Sequence, residues 1–476
     1  MKLFPAIVST FVLCAMSTQT SALEFFTSSS LNITSQDAAS TLNANLSFAD
    51  LSLGFHHDGG GFRFGWELGV SGEGEYPSAF MSDYYKGLSV EIREAGLSFK
   101  KNGFGFALGK MENRDMVDSP YSLFVSGFDR KTMLAEISYE DDRVFFSDRW
   151  LGLNHNLSTT GLYVSGSSSG NYIYRDRGAV IKNYGFKLGR FRFGFQDALV
   201  FTGNYFDIDI FANLAPGFFV QYLALATGRP WTESGNQNSL LGFFADYAAD
   251  RYYVYGQILV DDLNVNRFMH PELPQNPDKI ALSVGGSTDT AIGLLGFYLA
   301  GATKYTFESI DHEYYSYTYY PASAVVSGTS TVGIPLGEEM IGYSLGENNI
   351  AFKATWAGSF DSIRLEGSLE LSLSGSKSPA NPWHELNTWS DGGQGTKWLD
   401  DGILEKRAVL SFGAERHFGP IAVSASGGLG WVQNRLELTA VSAPYISGNL
   451  EPVWNPSMHS GVVAELQLKA TVLFAP

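Results

Sequence analysis

The sequence predicts an all-β protein, a single transmembrane antiparallel β-barrel of about 16–18 strands with 18 favoured. Three observations lead to this fold class. Segments with apolar residues at every second position recur along the 476-residue chain. Each is about 9–11 residues long, the length that a tilted membrane strand needs. Past the N-terminus no uncharged apolar run reaches about 18 residues, so a membrane crossing has to use strands.

The clearest segment covers residues 251–262, with the sequence RYYVYGQILVDD. Tyr252, Val254 and Ile258 lie on a face that is almost wholly apolar, whereas the opposite face is mixed. This pattern is typical of a strand that meets lipid or core on one side only. The preceding run, residues 238–247, ends three residues earlier. The two segments are therefore predicted to form one long hairpin.

The N-terminus has the features of a secretory signal. Lys2 supplies a positive charge, residues 3–16 are a short apolar run, and residues 20–22 are small or polar. We expect residues 1–22 to be a cleaved signal peptide and residues 23–476 to form the barrel. The single cysteine, Cys14, lies inside the signal, so no disulfide framework is expected.

Further strands follow along the chain. In residues 62–70, Phe62, Phe64 and Trp66 alternate with Arg63 and Glu67. Other strands are predicted at residues 42–57, 87–100, 104–111, 132–139, 350–356, 361–375, 408–414 and 421–431, with two strand ends joined tightly within residues 186–196. The last segment, residues 464–474, is an amphipathic strand of the kind that a barrel needs to close on its first strand.

Residues 216–227 (PGFFVQYLALAT) depart from alternation and begin with a proline. This pattern predicts a short helix or a buried loop that folds into the lumen as a plug. Three long connections, residues 264–278, 311–339 and 374–402, are expected on the outer side, with short turns such as residues 58–61 on the periplasmic side.

The polar strand faces carry both signs of charge. An Arg or Lys that faced lipid would cost about 2–4 kcal/mol at the bilayer midplane, so the charged faces are predicted to line the lumen. The residues assigned to the lumen are Arg63, Glu67, Arg190, Arg192, Arg364, Glu366 and Glu370. Such a lumen is either a closed network of salt bridges or a weakly selective channel, and the sequence leaves both open.

Aromatic residues in the long connections are candidate sugar contacts. Their ring faces can stack on sugar C–H groups while nearby Asp and Asn side chains bind hydroxyls. The candidates are Trp383, Trp389, Trp398, Tyr315 and Tyr317. The alternative is that these rings order the loops or belong to the interfacial aromatic girdle.

Composition and motifs argue against several other functions. The formal net charge of −17 argues against a nucleic-acid partner. The eight histidines have no metal-ligand spacing, and neither a G-x-S-x-G elbow nor a P-loop is present. We therefore expect no enzyme activity, no cofactor and no metal. The alternative that carboxylates leave open is a calcium site at Asp261 and Asp262 with Asp246 and Asp250, or at Asp207 and Asp209.

A family resemblance appears in the central hairpin. Residues 238–242 (NSLLG), followed by Tyr255, Gly256 and Gln257 and then by Asp261 and Asp262, resemble the N-x-L-x-G and Y-G-Q strands of the capsule-assembly family of Wzi-type outer-membrane proteins. Residues 118–126, Arg149 with Trp150, and residues 188–203 resemble further pieces of that family in a compatible order. The match covers about residues 109–262. No helical bundle precedes the predicted barrel, which departs from the capsule-holding member.

The resemblance implies an 18-stranded outer-membrane barrel with an occluded lumen that binds surface polysaccharide. Its expected partners are outer-membrane lipid, surface polysaccharide and, during insertion, the barrel-assembly machinery. The alternative is a porin-like channel for small hydrophilic solutes. A plug in the lumen favours the first function, and an open lumen favours the second.

Overall fold

The computed structural model describes residues 24–36, 45–71, 89–127, 130–155, 175–220, 237–263, 266–270, 277–308, 315–327, 330–380, 396–442 and 450–474. The predicted signal peptide, Trp383, Trp389 and residues 221–227 of the predicted plug lie outside these ranges.

Within these ranges the chain is built almost entirely of strands. They are β1 (Glu24–Gln36), β2 (Asn45–Gly59), β3 (Phe62–Ser71), β4 (Ser89–Lys101), β5 (Phe104–Glu112), β6 (Lys131–Glu140), β7 (Val144–Asn154), β8 (Arg177–Leu188), β9 (Phe191–Thr202), β10 (Gln237–Ala248), β11 (Tyr252–Asp262), β12 (Lys279–Thr290), β13 (Gly293–Ala302), β14 (Ala324–Ser327), β15 (Ser330–Gly333), β16 (Asn349–Phe360), β17 (Ile363–Ser374), β18 (Glu405–Phe418), β19 (Ile421–Gln433), β20 (Leu436–Ser442), β21 (Leu450–Pro456) and β22 (Gly461–Phe474). Short helices are α1 (Ile208–Phe211), α2 (Asn266–Met269) and α3 (Leu336–Glu339), and residues 217–220 are also helical.

Eighteen of the strands form one antiparallel sheet, and the pairs β14–β15 and β20–β21 are separate hairpins in connections. Each strand of the large sheet pairs with two neighbours. The final strand, β22, pairs with both β19 and β1, and β1 pairs in turn with β2. The hydrogen-bonded ring therefore closes, and the predicted 18-stranded antiparallel barrel is confirmed.

The two faces of the wall differ as a membrane barrel requires. Large apolar side chains are exposed on the outer face, among them Phe104, Phe106, Phe186, Phe193, Phe243, Leu282, Phe297, Leu410 and Phe412. Charged side chains alternate with them and point into the lumen, among them Glu67, Glu136, Arg192, Asp246, Lys353, Glu370 and Glu465.

Short turns and long connections lie at opposite ends of the barrel. The short turns are residues 60–61, 102–103, 141–143, 189–190, 249–251, 291–292, 361–362 and 419–420. In the turn between β4 and β5, Asn102 and Gly103 have φ values of 53° and 84°, the left-handed pair that a tight hairpin uses. The long connections follow β3, β5, β7, β9, β11, β13, β17 and β19. By the general rule for membrane barrels, they mark the outer end.

The strands that the sequence predicted are present with bounds shifted by a few residues, and the predicted hairpin appears as β10 and β11. Four strands of the large sheet were not predicted, namely β7, β12, β13 and β1. β1 has little local pattern. Its sequence, EFFTSSSLNITSQ, is rich in Ser and Thr and lacks an apolar face. Pairing with β2 and β22, rather than a local pattern, makes it a strand.

No helix in the described part of the chain is long and apolar enough to cross a membrane.

Candidate functional site: the plugged lumen

Two connections fold back into the lumen and fill the side of it that is lined by β7–β13. The first is residues 113–127, between β5 and β6, and the second is the described part of the connection between β13 and β16, residues 303–308, 315–327 and 330–348. Together we call them the plug. Their side chains share one core with inward-facing residues of the wall, and buried members of this core include Tyr121, Leu123, Phe124, Phe307, Tyr317, Ile341, Tyr343, Leu151, Ile181, Val200, Leu240 and Leu259.

Three inward-facing residues of β11 hold both parts of the plug. The Tyr255 hydroxyl lies 2.5 Å from the Ser119 hydroxyl, and Gln257 Oε1 accepts the backbone N–H of Leu123 at 2.8 Å. Asp261 Oδ2 accepts the backbone N–H of Phe307 at 2.9 Å. Tyr255, Gln257 and Asp261 belong to the motif that carried the family resemblance, so in this protein the motif anchors the plug.

The motif glycine of β10 makes room for the plug. Gly242 faces the lumen, and a Cβ atom there would lie 2.7 Å from the ring of Phe124 and 2.1 Å from the backbone oxygen of Ile258. Only a residue without a side chain lets Phe124 approach the wall this closely.

Asp115 folds the first connection onto the wall. Its Oδ2 accepts the backbone N–H groups of Phe124 and Val125 at 3.0 and 3.1 Å. The same carboxylate accepts the side-chain amides of Gln196 at 2.8 Å and Gln257 at 3.1 Å. A carboxylate with several N–H donors is a strong acceptor, and these bonds tie the connection to β9 and β11.

The second connection packs on the first. The Tyr317 hydroxyl donates to the Phe124 carbonyl at 2.6 Å, and the Ser126 N–H donates to the Ile341 carbonyl at 2.7 Å. From the wall, Arg177 donates to the Ser316 and Thr318 carbonyls. The two connections therefore form a single packed body.

Buried carboxyl groups lie in the second connection. Ser378 donates through its hydroxyl to Glu308 and through its N–H to Glu347, both at 2.7 Å. Burial, followed by the neighbouring Glu347, raises the pKa of Glu308 well above its ordinary value, and burial also raises the pKa of Glu347. Because two buried carboxyls in contact cannot both ionise readily, the pair holds a proton. Burial likewise raises the pKa of Glu339 to about 8.

Three of the predicted lumen charges, Glu67, Arg192 and Glu370, are paired with charges on other strands. Lys131 Nζ lies 2.8 Å from Glu67 and 2.7 Å from Glu94, and Arg192 Nε donates to Asp246 at 2.9 Å. Arg63, Arg364, Glu366 and Glu370 also alternate onto the inward face. The prediction for Arg190 is wrong, because it lies in the short turn before β9, where it pairs with Asp250 at 2.9 Å.

The lumen beside β17–β19 is lined by smaller side chains. A cavity of about 240 Å³ borders Arg364, Glu366, Glu415, Ser424 and Ser426. Gly413 and Gly428 also face inward here, so this side of the lumen holds less side-chain volume than the side filled by the plug.

The predicted plug, residues 216–227, is not in the lumen over the part that the structure describes. Gly217 and Phe218 donate their N–H groups to Asp197, which faces outward on β9. Residues 216–220 therefore cover the outer wall. The prediction of a short helix or buried loop agrees with the helical residues 217–220, but a local pattern does not specify on which side of the wall such a segment packs.

The predicted aromatic contacts divide into three groups. Tyr315 and Tyr317 are 7% and 0% exposed and belong to the plug core, so the prediction that they contact sugar is wrong for these two residues. Trp398 is 46% exposed, and its Nε1 donates to the Asn349 carbonyl at 2.9 Å. Its ring lies over Gly301 on the outer wall. Trp383 and Trp389 lie outside the described residues.

Metal ligands do not gather in the described part of the chain, where no group of three His, Cys, Asp or Glu side chains can hold an ion. At the site of the calcium alternative, Asp261 is instead 3.2 Å from Lys279 Nζ.

These features define a plugged β-barrel of the outer-membrane type. Among solved structures, the chain is similar to Wzi from Escherichia coli, described as a carbohydrate-binding β-barrel involved in group 1 capsule assembly. The identity is 10%, the TM-score is 0.53, and the match covers 98% of this chain and 87% of Wzi. The likeness shows the fold.

Two further solved structures match with lower TM-scores. OccAB4 from Acinetobacter baumannii has 7% identity and a TM-score of 0.45 over 96% of this chain and 99% of that one. OprD from Pseudomonas aeruginosa has 7% identity and a TM-score of 0.42 over 96% and 95%. No protein-family model and no curated protein sequence matches the chain.

Proposed function

We propose that this protein resides in the outer membrane, keeps its lumen closed with the plug, and binds surface polysaccharide at its outer end. In this role it helps to assemble or retain a polysaccharide layer, and it has no catalytic function. The observation that carries the proposal is the anchoring of the plug by Tyr255, Gln257 and Asp261. A body held to the wall at several buried positions suits a fixed seal better than a solute path.

The outer rim offers a candidate sugar contact at Trp398. The Asn348 side chain binds the Leu399 N–H at 2.8 Å and Asp401 at 2.7 Å, which fixes the backbone on both sides of the indole. One ring face packs over Gly301, and nearly half of the side chain stays exposed beside the exposed Asp400. An open ring with a carboxylate beside it suits sugar stacking and hydroxyl binding.

The test is glycan binding by the refolded protein in detergent, measured by surface plasmon resonance against purified capsular polysaccharides and lipopolysaccharide-derived oligosaccharides. We expect Trp398→Ala to weaken binding by about tenfold, which corresponds to about 1.4 kcal/mol. The matched control is Trp356→Ala, since Trp356 is also an indole on the outer wall that donates to a backbone carbonyl, that of Ile292, but lies near the short turns at the opposite end. Equal effects of the two changes, or no binding by the unchanged protein, would contradict the proposal.

A porin-like channel is the second candidate. It is favoured by the cavity among Arg364, Glu366 and Glu415, where small residues leave space and opposite charges line it. Ion conductance by the intact protein distinguishes this function from that of a closed barrel.

A further inference from the structure

A second covering segment lies on the outside of the barrel. Residues 203–220, which follow β9, run down the outer face of β7–β9, and we call them the flap. Tyr205 and Ile210 pack on Trp150, Val180 and Leu199, which belong to the outward-facing row of the wall. The Trp150 indole donates to the Tyr205 carbonyl at 2.9 Å.

The flap covers three charged residues that point away from the lumen. Asp148, Lys182 and Asp197 are direct cross-strand neighbours on β7, β8 and β9. They lie on the same face as the exposed Phe186 and Phe193, yet they are 0%, 0% and 1% exposed. Lys182 Nζ lies 3.6 Å from Asp148. Without the flap these charges would face the lipid, where charged side chains are costly.

The flap backbone provides hydrogen-bond partners for Lys182 and Asp197. Lys182 donates to the carbonyls of Ile210, Asn213 and Ala215. Asp197 accepts the N–H groups of Gly217 and Phe218. Lys182 and Asp197 are therefore solvated by the flap rather than by water, whereas Asp148 is balanced only by its ion pair with Lys182.

The remaining polar groups of the flap are also largely paired. The Tyr184 hydroxyl donates to the Leu214 carbonyl at 2.9 Å, and Asn213 Oδ1 accepts the Ala215 N–H at 3.0 Å. The Phe211 and Ala212 N–H groups bond within α1. Irregular backbone at membrane depth is tolerated only where its polar groups are satisfied by protein, and this flap largely meets that requirement.

The outer side of the flap is apolar at its deep end. Leu214 and Phe219 are 62% and 54% exposed. Leu214 is bonded to Tyr184, which lies past the middle of β8 from the outer rim. The polar residues Asn204 and Asp209 come earlier in the flap, nearer the rim where it leaves β9. Phe206 and Ile208 in that first part are also 42% and 59% exposed, so apolar side chains reach the outer surface along the flap, whereas its charged residues lie only near the rim.

The surface beside the flap is continuous with the lipid-facing wall. An apolar groove of about 640 Å³ runs from Tyr184 past Phe195 and Phe243 to Gly256 and Leu282. Leu214 stands at the rim of this groove through its bond to Tyr184. The occupant that fits a continuous apolar surface on the outer wall of a membrane barrel is an acyl chain.

We propose that the deep part of the flap, residues 213–219, lies in the acyl-chain region of the outer leaflet and forms part of the lipid-facing surface. This inference rests on the proposed location in the outer membrane. The flap covers the ion cluster on the outer wall and presents an apolar surface to lipid.

Site-directed spin labelling tests the proposal in the full chain reconstituted into phospholipid vesicles. Cys14 is the only cysteine of the sequence, so Leu214→Cys and Phe219→Cys are made in a Cys14→Ser background. Accessibility is measured by power saturation with oxygen, which partitions into lipid, and with a nickel chelate, which stays in water. The matched controls are Phe243→Cys on the outer wall and Asp250→Cys in a short turn.

We expect the labels at positions 214 and 219 to match Phe243→Cys, with oxygen access and loss of chelate access relative to Asp250→Cys. Chelate access equal to Asp250→Cys would overturn the inference, because the flap would then lie in water. Protection from both reagents would also overturn it, because protein rather than lipid would cover the flap. If Phe243→Cys itself behaves like Asp250→Cys, the proposed membrane location fails.

A second variant tests the role of the ion cluster. Lys182→Met removes the donor that binds three flap carbonyls, and we expect the label at position 214 to gain chelate access. The control is Lys187→Met, a change on the same strand at a lysine that faces the lumen and binds Glu140. Unchanged chelate access in Lys182→Met would contradict the assigned role of Lys182.

Discussion

Gln257, in the middle of β11, accepts the backbone N–H of Leu123 at 2.8 Å across 134 residues of sequence. Its Nε2 donates to Gln196 at 2.6 Å and to Asp115 at 3.1 Å. One side chain thus joins two wall strands to the first connection of the plug. Removing the Gln257 side chain is expected to destabilise the plug more than the barrel, because the backbone pairing of β11 with its neighbours does not depend on this side chain.

Replacing Gln257 with leucine is expected to loosen the plug. The change keeps the approximate volume but leaves the Leu123 N–H without its acceptor, at a cost of about 1–3 kcal/mol. Hydrogen exchange followed by mass spectrometry should show faster exchange in residues 121–125. Gln433→Leu, the same change at an exposed wall position, is the control, and equal exchange in both variants would contradict the anchoring role.

Asp261 and Lys279 form a buried ion pair. Removing only one of the two charges is expected to lower the free energy of unfolding. Their side chains are each 1% exposed and 3.2 Å apart, and Lys279 also donates to the Glu308 carbonyl. Lys279→Met leaves the carboxylate buried without its cation, at about 3–5 kcal/mol. The double change Asp261→Asn with Lys279→Met should recover part of this loss in urea unfolding. Additive losses would show that the two residues do not interact.

The stability of the plug is expected to fall as pH rises. The native pKa of Glu339 is about 8 against an ordinary value of 4.5, so between these values the native state binds more protons than the unfolded state. Stability that is fully present below the unfolded pKa is then lost as pH rises through the native pKa. Glu339→Gln should flatten the pH dependence of exchange protection in residues 315–323, after correction for intrinsic rates. If exchange protection depended on pH in the same way in the variant and in the unchanged protein, Glu339 would not be the group that causes the dependence.

Closure of the barrel can be tested with a disulfide. Ser29 and Ala470 are Cα partners in the pairing of β1 with β22, and directly opposed strand residues lie within disulfide range. Ser29→Cys with Ala470→Cys, in the Cys14→Ser background, should crosslink under mild oxidation and alter migration of the denatured chain in non-reducing gels. Ser29→Cys with Leu410→Cys, on distant β18, should not. Failure of the first pair to crosslink would contradict closure between β1 and β22.

The wall was predictable from the sequence because lipid and lumen impose opposite chemistry on alternate residues. β3 and β11 show this in their apolar outer faces and mixed inner faces. β1 was not predicted as a strand because its Ser and Thr residues do not alternate with apolar residues. It pairs with β2, near the start of the chain, and with β22, at the end of the chain.

The plug was not predictable in the same way. Contacts such as Tyr317 to Phe124, separated by 193 residues, depend on the closed barrel that brings the two connections together. The flap could have been predicted from the alternation of residues along the strands. Lys182 and Asp197 occupy the same outward-facing positions as the exposed Phe186 and Phe193. Charges in a lipid-facing row predict a cover over that row.

Single-channel conductance in a planar bilayer is the most direct test of the plugged lumen. The refolded protein, with insertion shown independently by protease protection, is compared with a variant in which residues 118–126 are replaced by a Gly-Ser linker. The account predicts no stable conductance steps for the intact protein and the appearance of steps in the variant. Stable, reproducible steps from the intact protein would contradict the plugged lumen and support the porin-like channel.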